Sequence, residues 1–322
     1  MKGWLFTKTH DPLIFTEKED PVAGPGEVVI DIKASGLCLT DLHVMEQEFY
    51  MAIATGAPMY LGHECAGVVE SVGEGVTDIK VGDRVAVEKA VNPATNECIG
   101  FTQDGGYATK IRVFARQCVK MPDNVSFAQA ASSTCAGQTA YHATFGQGGA
   151  KPGSKVGVIG IGGIGQYVVG MAAARGCEVY AASRNPVARE MATSLGAKKT
   201  ATSIAEFEKE GLEIIIDCAG SNKTINDAIK VVSYGGTVVL VGMMEKDIVI
   251  QDASALGGLV LKEVSLKGCC NGFKTDIEGI FELIASGKYN PELSLIPFEE
   301  IDKGLELLKN GKVDGKLVAV QD

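Results

Sequence analysis

A chain of 322 residues with 46% hydrophobic content is long enough for two domains of common size, each with its own buried core. Its formal charge is −10, with 40 acidic and 30 basic side chains mixed along the chain, which leaves no basic footprint for nucleic acid. No apolar run approaches the roughly 18 residues of a membrane span, and the opening MKGWLFTKTH has no signal-peptide core. Nine cysteines follow no disulfide spacing, so reduced thiols and a cytoplasmic location are expected.

Residues 1 to about 125 read as short β segments cut by Gly and Pro: Glu27–Lys33, Gly67–Ser71, Asp83–Val87, Tyr107–Val113 and Gln117–Met121. That texture predicts a mostly β domain. From about residue 137 strand and helix alternate: strands at Lys155–Ile159, Glu178–Ala182, Ile214–Ala219, Thr237–Val241 and Ser265–Gly268, helices at Gly163–Arg175, Pro186–Leu195 and Lys223–Val232. Single helices between strands argue for right-handed βαβ units and a parallel sheet. The tail predicts helices at Thr275–Ala285 and Glu299–Lys309 and a last strand at Lys316–Val320.

The run Lys155–Ile159 leads directly into Gly160-Ile-Gly162-Gly163-Ile164-Gly165 and then an apolar helix, which is the dinucleotide fingerprint in its required setting. Gly160 allows the tight turn, Gly162 lets backbone approach a pyrophosphate, and Gly165 lets helix pack on strand. The next strand ends in Ala-Ala-Ser183-Arg184, with no carboxylate at its tip to meet a ribose; Glu178 lies at its other end. A hydroxyl followed by a guanidinium suits a 2′-phosphate, so NADP(H) is expected over NAD(H).

Three further segments carry chemistry: Cys38-Leu-Thr40-Asp41-Leu-His43, Gly62-His63-Glu64 and Cys135-Ala-Gly-Gln-Thr139. Two thiolates and an imidazole are a ligand set for a catalytic zinc with its fourth position open. Each residue alone has a blander reading as a buried thiol or core histidine; their joint occurrence around the glycine motif changes the odds.

With Asp104-Gly105-Gly106-Tyr107-Ala108 and Asp314-Gly-Lys316-Leu-Val added, the sequence resembles, nearly end to end, the zinc-dependent alcohol dehydrogenase branch of the medium-chain dehydrogenase/reductase family. The resemblance implies an α/β fold, a Rossmann doubly wound parallel sheet plus a mostly β, GroES-like catalytic domain. It divides the chain into a catalytic domain, 1–136 and 272–322, and a dinucleotide domain, 137–271. It implies that Cys38, His63 and Cys135 bind zinc, that Glu64 is an occasional exchange ligand, and that Asp41 orients His63. Thr139 would contact the nicotinamide, Lys316 the pyrophosphate, and Thr40 and His43 would form a proton relay. The chain departs from the pattern twice. Glu88–Gln103, where many relatives carry a four-cysteine structural zinc lobe, holds only Cys98, so one zinc per chain is expected. Leu39 stands where some members place a basic phosphate contact.

The expected activity is hydride transfer between NADP(H) and a small-molecule alcohol or carbonyl substrate, with no nucleic-acid or membrane partner. A zinc-dependent C=C or iminium reductase and a non-catalytic NADP(H)-binding protein are the alternatives. Phe49, Tyr50, Met51, Phe101 and Met243 are candidates for the substrate pocket. A homodimer or homotetramer is expected from the resemblance and from the apolar strand Thr237–Val241, read as near the far edge of its sheet.

Overall fold

The computed structural model of the chain describes residues 1–47, 56–89, 98–243, 247–250 and 253–321. It divides into two compact units, Met1–Cys135 with Leu293–Asp322, and Ala136–Glu292.

In the first unit the strands are β1 (Lys2–Phe6), β2 (Ile14–Glu17), β3 (Glu27–Gly36), β4 (Met59–Tyr60), β5 (Glu64–Val72), β6 (Arg84–Val87), β7 (Lys110–Phe114) and β8 (Cys118–Lys120). In the second they are β9 (Lys155–Ile159), β10 (Glu178–Ala182), β11 (Lys199–Ala201), β12 (Ile214–Asp217), β13 (Thr237–Leu240) and β14 (Ser265–Gly268). The chain then returns to the first unit with β15 (Leu293–Pro297) and β16 (Lys316–Val320).

The first unit is built on a sheet of order β15-β16-β3-β5-β6-β8, with β7 also paired to β3 and a small sheet β2-β1-β4 beside it. Inward residues of the long strands, Val28, Ile30 and Ile32 with Val69, Val85, Val87 and Ile111, form its core. The pairing of β3 sets Gly36 opposite both Glu64 and Val318, so the ends of β3, the start of β5 and the start of β16 converge at one end of the sheet. Gly36 is needed there, because a Cβ would stand 2.2 Å from Glu64 Oε2.

The second unit is a parallel sheet of order β11-β10-β9-β12-β13-β14. Its central strands bury Val156, Val158, Ile215, Ile216, Val238 and Val239, as a sheet covered on both faces requires. The order reverses between β9 and β12, and a crevice at the carboxyl ends of such strands is where doubly wound sheets take ligands. The glycine turn stands there. Gly160 adopts φ +82°, and a Cβ on Gly165 would meet Gly160 O at 2.0 Å, whereas one on Gly162 would meet nothing within 4 Å. The fold itself therefore demands glycine at 160 and 165, and leaves open space in front of 162.

Strands β9, β10, β14 and β16 have the bounds expected from sequence. One expectation needs correction. Helix Lys274–Ala285 packs against helices Gln138–Tyr141 and Gly165–Ala174, so the second unit runs to Glu292 and not to 271. Residues such as Ile277, Ile280 and Phe281 give that helix an apolar face, and it is buried in the second unit. Strand β13 stands next to the edge strand β14, near the far edge of the sheet as expected, and most residues of β14 are exposed. No helix among the described residues is long and apolar enough to cross a membrane.

Candidate metal centre

Cys38 is the N-cap of helix Leu39–Glu46, and Asp41 stands in the first turn with its Oδ2 accepting from Cys38 N–H at 3.2 Å. This is the reciprocal arrangement by which a carboxylate three residues into a helix satisfies the cap's orphan donor. The same carboxyl accepts from Tyr107 Oη at 2.8 Å and pairs through Oδ1 with His63 Nδ1 at 3.0 Å. Asp41, His63 and Tyr107 are all buried. With Nδ1 committed to Asp41, His63 Nε2 is a buried nitrogen with no hydrogen-bond partner. A buried polar atom left in that condition costs free energy unless something else fills its coordination.

What lies around it is a set of soft and hard donors. The ligand atoms of Cys38, His63, Glu64 and Cys135 all fall within 4.8 Å of one another. Cys135 arrives on a π-helical segment, Ser133–Gly137, that continues helix Phe127–Ser132, which is capped by Ser126 and Gln129. Widened turns of this kind recur at functional sites because they re-aim a side chain inside a helix. Glu64, at the start of β5, is fully buried; its Oε1 accepts from Lys316 Nζ at 2.6 Å, and its Oε2 has no partner. Lys316 Nζ also donates to Leu37 O at 2.8 Å. Lys89 Nζ lies 3.8 Å from Cys135 Sγ.

The electrostatics follow from burial and pairing. Contact with Cys135 pulls the Cys38 thiol well below the usual range, helped by the charge of Lys316, while the same contact pushes Cys135 up. Burial raises Glu64 to about 7, against the pull of Lys316. Burial works against a charged His63, but the Asp41 carboxylate more than offsets it and raises the imidazole to about 9. Burial, then Asp41, holds the Tyr107 phenol well above its ordinary value, so it stays a donor. Two thiols, an imidazole with one nitrogen unsatisfied and a nearby carboxylate match the donor set of a tetrahedral thiophilic divalent ion, and zinc in particular. The residues present fit that metal.

The remaining expected residues are found as follows. Thr40 Oγ1 is 3.5 Å from Cys38 Sγ, and His43 follows one turn later on the same helix, both half-buried. Thr139 is buried, its carbonyl facing the Cys269 thiol at 3.8 Å. Gly163 and Ile164 complete the turn between β9 and helix Gly165–Ala174. Ser183 and Arg184 follow β10 directly, Arg184 exposed, and Arg189 Nη1 donates to the carbonyls of both, at 2.7 and 3.1 Å. Lys316 is the residue to correct: its ammonium, expected at a pyrophosphate, is buried and bonded to Glu64 and Leu37, where it offsets a carboxylate that burial would otherwise neutralise. Phe101 is buried with its ring against His63, centroids 5.2 Å apart, and Met243 is exposed. Phe49, Tyr50 and Met51 lie outside the described residues. Sequence reasoning gave no role to Tyr107 or Lys89. The first sat inside a quoted motif; the second carried no signal beyond its charge.

Comparison with known proteins gives a consistent family. Residues 24–123 match the alcohol dehydrogenase GroES-like domain and residues 163–286 the zinc-binding dehydrogenase domain. An alcohol dehydrogenase of Geobacillus stearothermophilus is 34% identical over 100% of both chains. Among solved structures, the alcohol dehydrogenase of the archaeon Aeropyrum pernix superposes with a TM-score of 0.88 at 26% identity, over 100% of both chains. The acetophenone reductase of Geotrichum candidum, solved in complex with NAD, gives 0.84 at 26% identity, over 99% of this chain and 97% of its own.

The Asp41 hub yields a prediction. Tyr107→Phe removes one of three donors from a buried carboxylate that orients His63, and is expected to weaken Zn²⁺ or Co²⁺ affinity by about 10- to 100-fold, the usual effect of losing an outer partner of a ligand. Competition against a chelator measures it; unchanged affinity would show that His63 is oriented without the hub.

Proposed function

The chain belongs to the zinc-binding alcohol dehydrogenase family, and on that premise we propose that it transfers hydride between NADP(H) and an alcohol, aldehyde or ketone. The observation that carries the reading is the convergence of Cys38, His63, Glu64 and Cys135, with Thr40 beside Cys38. Cys38, His63 and Cys135 hold the metal and Glu64 is the exchange ligand. When bound there, zinc supplies a Lewis acid for the substrate oxygen.

This chain's own residues do the rest. Asp41 fixes the ring of His63 and, through its bond to Cys38 N–H, the turn that aims the thiolate. The helix N-terminus at Cys38 favours the thiolate further. Thr40 handles the proton at the substrate oxygen, and His43, three residues on and on the same helical face, exchanges it with solvent. Thr139 meets the nicotinamide, and the backbone of Gly160 to Gly165 receives the pyrophosphate.

Cofactor choice rests on Ser183 and Arg184. A relative binds NAD, so the preference belongs to this chain's own strand tip and not to the family. Arg189, by holding the carbonyls of Ser183 and Arg184, supports a preformed loop for a 2′-phosphate. One zinc per chain is part of the reading, because Cys98 is the single thiol in the shortened segment and donates to Lys89 O at 3.2 Å. So is a homodimer or homotetramer, for which the exposed edge strand β14 and the exposed Val260 and Leu261 on the preceding helix are the candidate surface.

Two or three charge-assisted bonds to a phosphate are worth roughly 2–4 kcal/mol, so kcat/KM for NADPH is expected to exceed that for NADH by about 30- to 1000-fold. Arg184→Asp should move the preference towards NADH, and equal values for the two cofactors in the unmodified enzyme would remove the assignment.

Thr40→Val tests the chemistry itself. General acid–base help is typically worth ~10²–10⁴-fold, and turnover of carbonyl substrates should fall by about that much while zinc and cofactor remain bound. Unchanged turnover, or enals converted mainly to saturated aldehydes, would contradict the reading in favour of alkene reduction, in which carbon is protonated instead.

A further inference from the structure

A cavity of about 560 Å³ opens on the second unit at the amino ends of β9 and β10, the opposite end of the parallel sheet from the glycine turn. Three segments bring charge to it. Lys151 comes from the loop before β9, Arg175 from the end of helix Gly165–Ala174, and Glu282 and Lys288 from the last turn of helix Lys274–Ala285 and the residues just past it. These three cations share the lining with one carboxylate, in a chain whose formal charge is −10. Arg175 is half-buried; its guanidinium lies 4.8 Å from the centroid of the Tyr141 ring and 4.6 Å from that of Phe145, which also lines the cavity, and its Nη2 donates to Tyr141 Oη. The rings hold the guanidinium fork in place, and no carboxylate pairs with it among the described residues. The side chains of Lys151 and Lys288 have no hydrogen bond or ion pair among the described residues either. The backbone that carries them is fixed: Lys151 O accepts from Ser154 N–H at 2.9 Å and from the Cys177 thiol at 3.3 Å, and Lys288 N–H donates to Leu283 O at 3.1 Å.

Cations at the carboxyl end of a helix ordinarily balance its dipole by bonding the last carbonyls. Here none of the three donates to a helix carbonyl among the described residues, and Arg175 is turned onto the two rings instead. A guanidinium held by aromatic contacts, with two ammonium groups around the same space, suits a phosphate dianion: arginine offers the bidentate fork and each lysine a point charge. Glu282 cancels one of the three charges, and the two that remain match the roughly −1.5 to −2 of a phosphate monoester. We propose that this cavity is a second ligand site, separate from the cofactor crevice, that takes a small molecule bearing a phosphate group. Its volume falls in the range of roughly 300–1,000 Å³ usual for small-molecule sites. The site lies wholly within the second unit and does not depend on the hydride-transfer reading.

The probes are inorganic phosphate and glycerol 3-phosphate, titrated calorimetrically into the full chain saturated with NADP⁺, or with NAD⁺ where that binds more tightly. Filling the cofactor crevice keeps the probes from the glycine turn and from Arg184, and potassium chloride at matched ionic strength is the blank. One site per chain is expected, with a dissociation constant at or below about 1 mM. Arg175→Met should weaken it by about 10- to 100-fold, and Lys151→Gln combined with Lys288→Gln by a similar factor. Glu282→Gln should tighten it. Both lysines are exposed, so their double variant keeps the fold and decides the matter should Arg175→Met disturb the packing of Tyr141 and Phe145. No heat above the blank overturns the proposal, as does uptake without a defined stoichiometry. Binding that the double lysine variant and Arg175→Met both leave unchanged overturns it as well, since the phosphate then sits elsewhere.

Discussion

One buried carboxylate organises the centre. Asp41 is 1% exposed, and a charge in that position is tolerated only when its lone pairs are taken. Three donors from three separate parts of the chain take them: the backbone of Cys38, the ring of His63 and the hydroxyl of Tyr107. Each bond also fixes something the metal needs. The first sets the turn that carries one thiol, the second turns Nε2 of the imidazole towards the other ligands, and the third closes the arrangement from the glycine-rich segment that precedes β7. Removing Asp41 would leave three donors unsatisfied and two ligands unaimed at once.

A second buried pair, Glu64 with Lys316, joins residues 252 positions apart and ties the last strand to the start of β5. Pairs of this kind return little net stability when intact, but losing one partner typically costs about 3–5 kcal/mol because the other charge stays buried. Glu64 has one oxygen bound to lysine and the other unpartnered, and its ligand atom lies within 4.8 Å of those of Cys38, His63 and Cys135. The lysine's value lies in the centre it stabilises.

Much of the fold was legible because the parallel strands are buried on both faces and read as uninterrupted apolar runs; Lys155–Ile159 and Glu178–Ala182 are found as expected. Short elements were not. Strand β11 is three residues long, and helix Leu39–Glu46, LTDLHVME, mixes polar and apolar residues without a clear face, its position being set by its cap and by Asp41. Helix Lys274–Ala285 was legible as a helix, but which unit it packs in is decided by distant neighbours. The residues of the candidate metal centre could be named from their types, and the structure brings Cys38, His63, Glu64 and Cys135 together. That Tyr107 completes the hub, that Lys316 faces Glu64 and that Lys89 approaches Cys135 are products of strand register and loop course, which no local pattern encodes.

The claim on which all of this depends is that two thiolates and one imidazole, aimed by Asp41, form a single metal centre. X-ray absorption at the zinc edge of the purified protein measures that ligand set directly. It should show two sulfurs at about 2.3 Å and one or two nitrogen or oxygen neighbours at about 2.0–2.2 Å, with Cys135→Ser reducing the sulfur count to one. A shell of four sulfurs, or one without sulfur, would contradict the account.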